Sequence, residues 1–150
     1  MKSTFDTIGF LTTAAVDIDG ELTDLDQLIT ELSIPGTDPQ RARRQYNHIS
    51  SLLTGIMYTV GYLEENETRQ GIEGWLEQMQ TRLGERRPPI LAALYSDKLH
   101  KQVRITACHA SDGDLIYYEL EIDGQHRSRR TRLEEIRDTL REMAGETAAA

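Results

Sequence analysis

Apolar side chains at Tyr46, Ile49, Leu53, Ile56, Val60 and Leu63 recur at alternating steps of three and four. That spacing lays them along one seam of a helix. Such a seam needs a partner helix, from the same chain or from a second copy, so these six residues are a candidate oligomer seam. Thr37-Asp38-Pro39 offers a start: a capping residue followed by proline at the first helical position. The helix is expected to run to about Glu65. Arg41, Arg43 and Arg44 occupy its first turns and Glu64 and Glu65 its end, the reverse of what the helix dipole favours. Those arginines serve a partner or solubility. Gly55 and Gly61 each cost about 1 kcal/mol against alanine in a helix, which points to a close helix approach or a bend.

The remaining pattern is read around this helix. Residues 4–17 fit a helix through Phe5, Ile8, Leu11 and Ala15, or a strand through alternation of Ile8, Phe10, Thr12, Ala14, Val16 and Ile18; the helical reading is preferred. Asp19-Gly20 predicts a turn. Thr23 then caps a short helix with Leu25, Leu28, Ile29 and Leu32 inward, ended by Pro35-Gly36. Glu67 to Gly84 predicts a further helix on Ile72, Trp75, Leu76, Met79 and Leu83. Ile90 to about His100, opened by Pro89, predicts another.

The period then changes to two. Val103, Ile105 and Ala107 alternate with polar neighbours, Ser111-Asp112-Gly113-Asp114 marks a hairpin, and Ile116, Tyr118, Leu120 and Ile122 give a second strand with one buried face. Asp123-Gly124 predicts a second turn and Gln125 to about Thr131 a polar edge strand. Leu133, Ile136, Leu140 and Met143 form a closing helix, stopped by Gly145. The fold expected is α+β over residues 1–145: a helical part of about four helices in 1–100, then an antiparallel meander of two or three strands and a C-terminal helix in 101–145. Residues 146–150 are expected to fray.

Charge narrows the functional classes. The formal net charge of −8 is uneven: residues 1–37 hold seven acids and one base, and residues 95–150 eleven acids and nine bases. A chain this acidic is repelled from nucleic acid as a whole, so binding there needs a local basic face. No apolar run is long enough to span a membrane. An acid follows Met1-Lys2-Ser3-Thr4-Phe5 where a secretory signal would continue apolar, so a cytoplasmic location is expected.

Chemistry-bearing residues are sparse. Cys108 is the one cysteine, which excludes an internal disulfide and a multi-cysteine zinc site, and it reads as a small packed residue on a strand. Alternation places His109 on the opposite face. His48, His100, His109 and His126 lack metal-ligand spacing, and no nucleophile elbow or phosphate loop occurs. Neither cofactor nor metal is expected. Asp17-Ile18-Asp19-Gly20-Glu21 misses the EF-hand pattern, because glycine arrives at the fourth position and Leu28 at the twelfth. Asp19-Gly20-Glu21-Leu22-Thr23 with Asp26, within residues 14–26, resembles a segment of the TerB-like tellurite-resistance domains. The resemblance implies metal-binding acids at Asp19 and Asp26. That family is all helical, whereas residues 101–131 read as strands, and a turn before a capped helix explains the same residues.

Two charged surfaces remain. Arg127, Arg129, Arg130 and Arg132 line the edge strand, with Lys101, Arg104 and Tyr117 as neighbours on the same sheet. They fit phosphates or an acidic protein face, or simply a charged edge paired with Glu119 and Glu121. Asp17, Asp19, Glu21, Asp24 and Asp26 form an acidic counterpart, suited to a basic groove on a partner or to solubility. The function expected is non-enzymatic: a binding or regulatory protein that occupies a protein partner, with a homodimer also in view. Small acidic inhibitors from phages and mobile elements share this general character. Nucleic-acid binding through residues 126–132 is the second expectation, and a TerB-like or small-molecule-binding domain the third.

Overall fold

The computed structural model describes residues 7–146. Within them, helices α1 (Thr7–Glu31), α2 (Pro39–Val60), α3 (Asn66–Gly84) and α4 (Arg87–Leu99) precede strands β1 (Val103–His109), β2 (Leu115–Ile122) and β3 (Gln125–Arg130), and α5 (Leu133–Met143) follows. This is the α+β order expected. Phe5, and all of the expected frayed tail but Glu146, lie outside the described residues.

Helix α1 replaces the expected helix–turn–helix. It runs 25 residues straight through Asp19-Gly20. The reason is a stripe that stays in register across the dipeptide: Ala14, Ile18, Leu22 and Leu25 are all buried, and Leu28, Ile29 and Leu32 pack against the same core. Burying side chains of this size stabilises by about 1.5–3 kcal/mol each, which outweighs the roughly 1 kcal/mol cost of one helical glycine. Thr23 caps nothing; its hydroxyl donates to the Asp19 carbonyl one turn back at 2.8 Å.

Helix α2 starts where the sequence indicates. Asp38 accepts from the Gln40 backbone N–H at 2.9 Å, and Pro39 opens the first turn. It ends at Val60, earlier than expected: the Gly61 N–H still donates to the Met57 carbonyl four residues back, but the Tyr62 and Leu63 N–H groups close tighter turns onto Thr59 and Val60. Ile49, Leu53 and Val60 are buried, and Tyr46, Ile56 and Leu63 are partly buried against the same cluster. Within the chain the seam packs against α1, α3 and α4, the same-chain partners that such a seam allows. At Gly55 a Cβ would meet no atom within 4 Å, so no close helix approach requires this glycine.

Helix α4 begins at Arg87, before Pro88 and Pro89, rather than at Ile90. The sheet order is β1-β2-β3, antiparallel throughout. Asp123 (φ 51°) and Gly124 (φ 80°) take the two left-handed positions of the tight β2–β3 turn. Val103, Leu120 and Ile122 point into the core and are covered by α4 and α5, which contributes Leu133, Ile136 and Leu140. No described helix is long and apolar enough to cross a membrane.

Candidate functional site

The residues of the expected arginine surface meet different surroundings. Ser128 and His126 lie opposite the consecutive residues Leu120 and Glu121, so Arg127 is an extra residue in a β-bulge and the alternation assumed for the strand breaks there. Arg129 is taken up internally: its guanidinium donates to Glu119 at 2.9 Å and lies 4.3 Å from the centre of the Tyr117 ring. Arg104 faces Glu121 across β1–β2. Lys101 precedes the end of β1 that pairs with Ile122, whereas Arg130 pairs with Tyr118 towards the opposite end of the sheet, next to Arg132 at the start of α5. The outer face of the sheet is thus a lattice of alternating charge. Cys108 belongs to that face, half-buried opposite Tyr117, and is not packed into the core.

The acidic surface divides along the helix that carries it. Asp19 and Asp26 turn towards α3 and the short connection that follows it. Arg82 donates to Asp19 at 3.0 Å, and Arg86 makes a two-pronged contact with Asp26, Nε to Oδ1 at 2.5 Å and Nη2 to Oδ2 at 3.0 Å. The Arg86 hydrogen bond holds the Asp26 carboxyl below its ordinary value, against a partial desolvation that works the other way. Both acids sit on continuous helix, each engaged by arginine, and no cluster of metal-binding side chains occurs among the described residues. The loop that would have matched TerB-like domains is absent.

Asp17, Glu21 and Asp24 turn the other way, towards α2. With Val16, Leu52, Ile56 and His48 they line an open groove of about 650 Å³ between α1 and α2. The groove is apolar along its floor and acidic along its α1 rim. Val16 is 66% exposed and Leu52 36%, large apolar side chains left in solvent at its edge. Glu21 is fixed by Gln45, whose amide donates to its carboxylate at 2.5 Å and to its backbone carbonyl at 3.0 Å. His48 Nε2 lies 3.7 Å from the same carboxylate. Asp17 and Asp24 have no ion-pair partner among the described residues. Sequence reasoning found the acids and missed Val16 and Leu52 as site residues. Their signal was an apolar residue off each stripe: Leu52 one residue before core Leu53, and Val16 midway between core Ala14 and Ile18.

A second concavity lies on the other flank of α2, bounded by α4 and α5. Arg43, Arg87, Lys98, Arg137 and Arg141 reach it. Burial raises the Tyr46 and Tyr95 hydroxyls at its wall, which keeps both protonated. Arg137 Nε is buried without a hydrogen-bond partner among the described residues. A donor left so costs about 1–3 kcal/mol.

Comparison with protein-family models, with curated proteins and with solved structures returns no match. The functional reading therefore rests on these surfaces alone.

Proposed function

We propose that the protein is a non-catalytic binding module that takes a basic, amphipathic helical segment of a partner protein into the α1–α2 groove. The observation that carries this reading is the combination of exposed Val16 and Leu52 with the unpaired acids Asp17 and Asp24 on one concave surface. Apolar anchors on the occupant supply affinity, as in other helix-in-groove docking. Its cations meet the acidic rim, and the chain's net charge of −8 speeds their approach. The same charge argues against a second copy as occupant. Nucleic-acid binding through the arginine strand has less support, because Arg129 already has internal partners and Lys101 is separated from Arg132 by the length of the sheet.

Fluorescence anisotropy with labelled helical peptides tests the reading. One peptide carries leucine at helical spacing with lysine on the flanks; its counterpart carries glutamate in place of lysine. The lysine peptide is expected to bind at least about tenfold more tightly, and Leu52→Glu to weaken it by a similar factor. Equal affinity for the two peptides, or an unaffected Leu52→Glu variant with native circular dichroism, refutes the proposal. A light-scattering mass that rises with concentration in the wild type and not in Leu52→Glu reassigns the groove to self-association.

A further inference from the structure

We infer that the concavity between α2, α4 and α5 binds a small organic phosphate carrying at least two negative charges. It is a separate site from the α1–α2 groove and stands independently of that proposal: His48, Leu52 and Ile56 face the groove, whereas Arg43, Tyr46 and Ser50 face this cavity from the other flank of α2.

Charge is the first argument. Five cations, Arg43, Arg87, Lys98, Arg137 and Arg141, reach one cavity of a chain that is acidic overall. Arg87 is paired with Glu134 at 3.0 Å, and Lys98 with Glu146 at 2.6 Å. Arg43, Arg137 and Arg141 have no ion-pair partner among the described residues. Glu134 and Glu146 offset two of the five cations, so the site keeps a net positive charge that favours an added anion, and the planar guanidinium fork matches phosphate oxygens.

Shape gives the class of molecule. The cavity is about 430 Å³, within the range of small-molecule sites and far larger than a bare phosphate needs. Ile90, Leu91 and Leu94 supply an apolar floor for the organic part, and Asn47, Ser50 and the two tyrosine hydroxyls supply polar wall groups. The chain already places one anion here. Glu146 accepts from Lys98 and, at 3.2 Å, from the Tyr95 hydroxyl. A ligand phosphate would compete with that carboxylate for Lys98, so Glu146 acts as an internal competitor.

Isothermal titration calorimetry on the full chain, at matched ionic strength, tests the inference with inorganic pyrophosphate, 5′-AMP and adenosine. Pyrophosphate and 5′-AMP are expected to bind saturably and adenosine not at all. Arg141→Gln and Arg43→Gln should each weaken 5′-AMP by about tenfold or more, and Glu146→Gln should tighten it severalfold. Arg43 is exposed on α2, so its variant keeps the test valid if Arg141→Gln folds poorly. Heats that fail to saturate, or unchanged affinity in Arg43→Gln, overturn the inference. Tighter binding of a single-stranded oligonucleotide than of 5′-AMP overturns it also, assigning the surface to nucleic acid.

Discussion

Helix α1 and strand β3 each concentrate one sign of charge, and the fold uses them in opposite ways. On β3 two of the four basic side chains meet an acid inside the same sheet: Arg129 holds Glu119 and covers Tyr117, and His126 approaches Glu119, while Arg127 and Arg130 have no ion-pair partner among the described residues and border no apolar groove. On α1 the helical period splits the acids into two rows. Asp19 holds Arg82 of α3 and Asp26 holds Arg86 in the α3–α4 connection, while Asp17 and Asp24 stay unpaired beside exposed Val16 and Leu52. A run of like charge in a sequence thus has no fixed meaning. It becomes a candidate interface where a row lacks internal partners and borders an apolar concavity.

Variants can separate the rows. The core beneath both regions sets the upper scale: Leu53→Ala, at a fully buried position under the α1–α2 contact, should cost about 2–5 kcal/mol in denaturant unfolding. Gly55→Ala should do the reverse. The position is helical, exposed and free of neighbours, so a gain of about 1 kcal/mol is expected, with groove binding unchanged.

The α3-facing row comes next. Asp19→Asn with Asp26→Asn should lower stability by roughly 1 kcal/mol or less, because both pairs are solvent-screened, and should leave peptide binding intact. The pH dependence has a definite sign. Asp26 titrates in the folded chain below its ordinary value of 3.8. Its contribution is therefore present above that value and fades as the pH falls through the lower folded value. The stability difference between wild type and Asp26→Asn, followed by urea unfolding, should shrink across that acid window and hold steady above it. Arg129→Gln should have the smallest effect on stability, and none on peptide binding, since its guanidinium lies exposed on the sheet surface. A large binding loss in Arg129→Gln would collapse the contrast between the two regions.

Much of the fold was legible because its signals were local and consistent. The Asp38-Pro39 start, the three-four seam and the Asp123-Gly124 turn each specify one conformation, and the chain adopts it. The turn expected at Asp19-Gly20 failed because a dipeptide preference is weaker than a buried stripe running through it. Which helices the seam meets was not legible, because periodicity gives the face of a helix and not its neighbour. The site was half legible. Charge marked Asp17 and Asp24, but their distinction from Asp19 and Asp26 depends on where Arg82 of α3 and Arg86, just beyond it, fall, and that is tertiary information. The cavity between α2, α4 and α5 gathers cations from three separated segments. Only the inverted charge order at the start of α2 hinted at it.

The most direct test of the groove is a charge exchange. Asp17→Lys with Asp24→Lys should reverse the preference, so that the glutamate peptide now binds more tightly than the lysine peptide while leucine anchors remain essential to both. Unchanged preference in that double variant, with the fold intact by circular dichroism, would contradict the account.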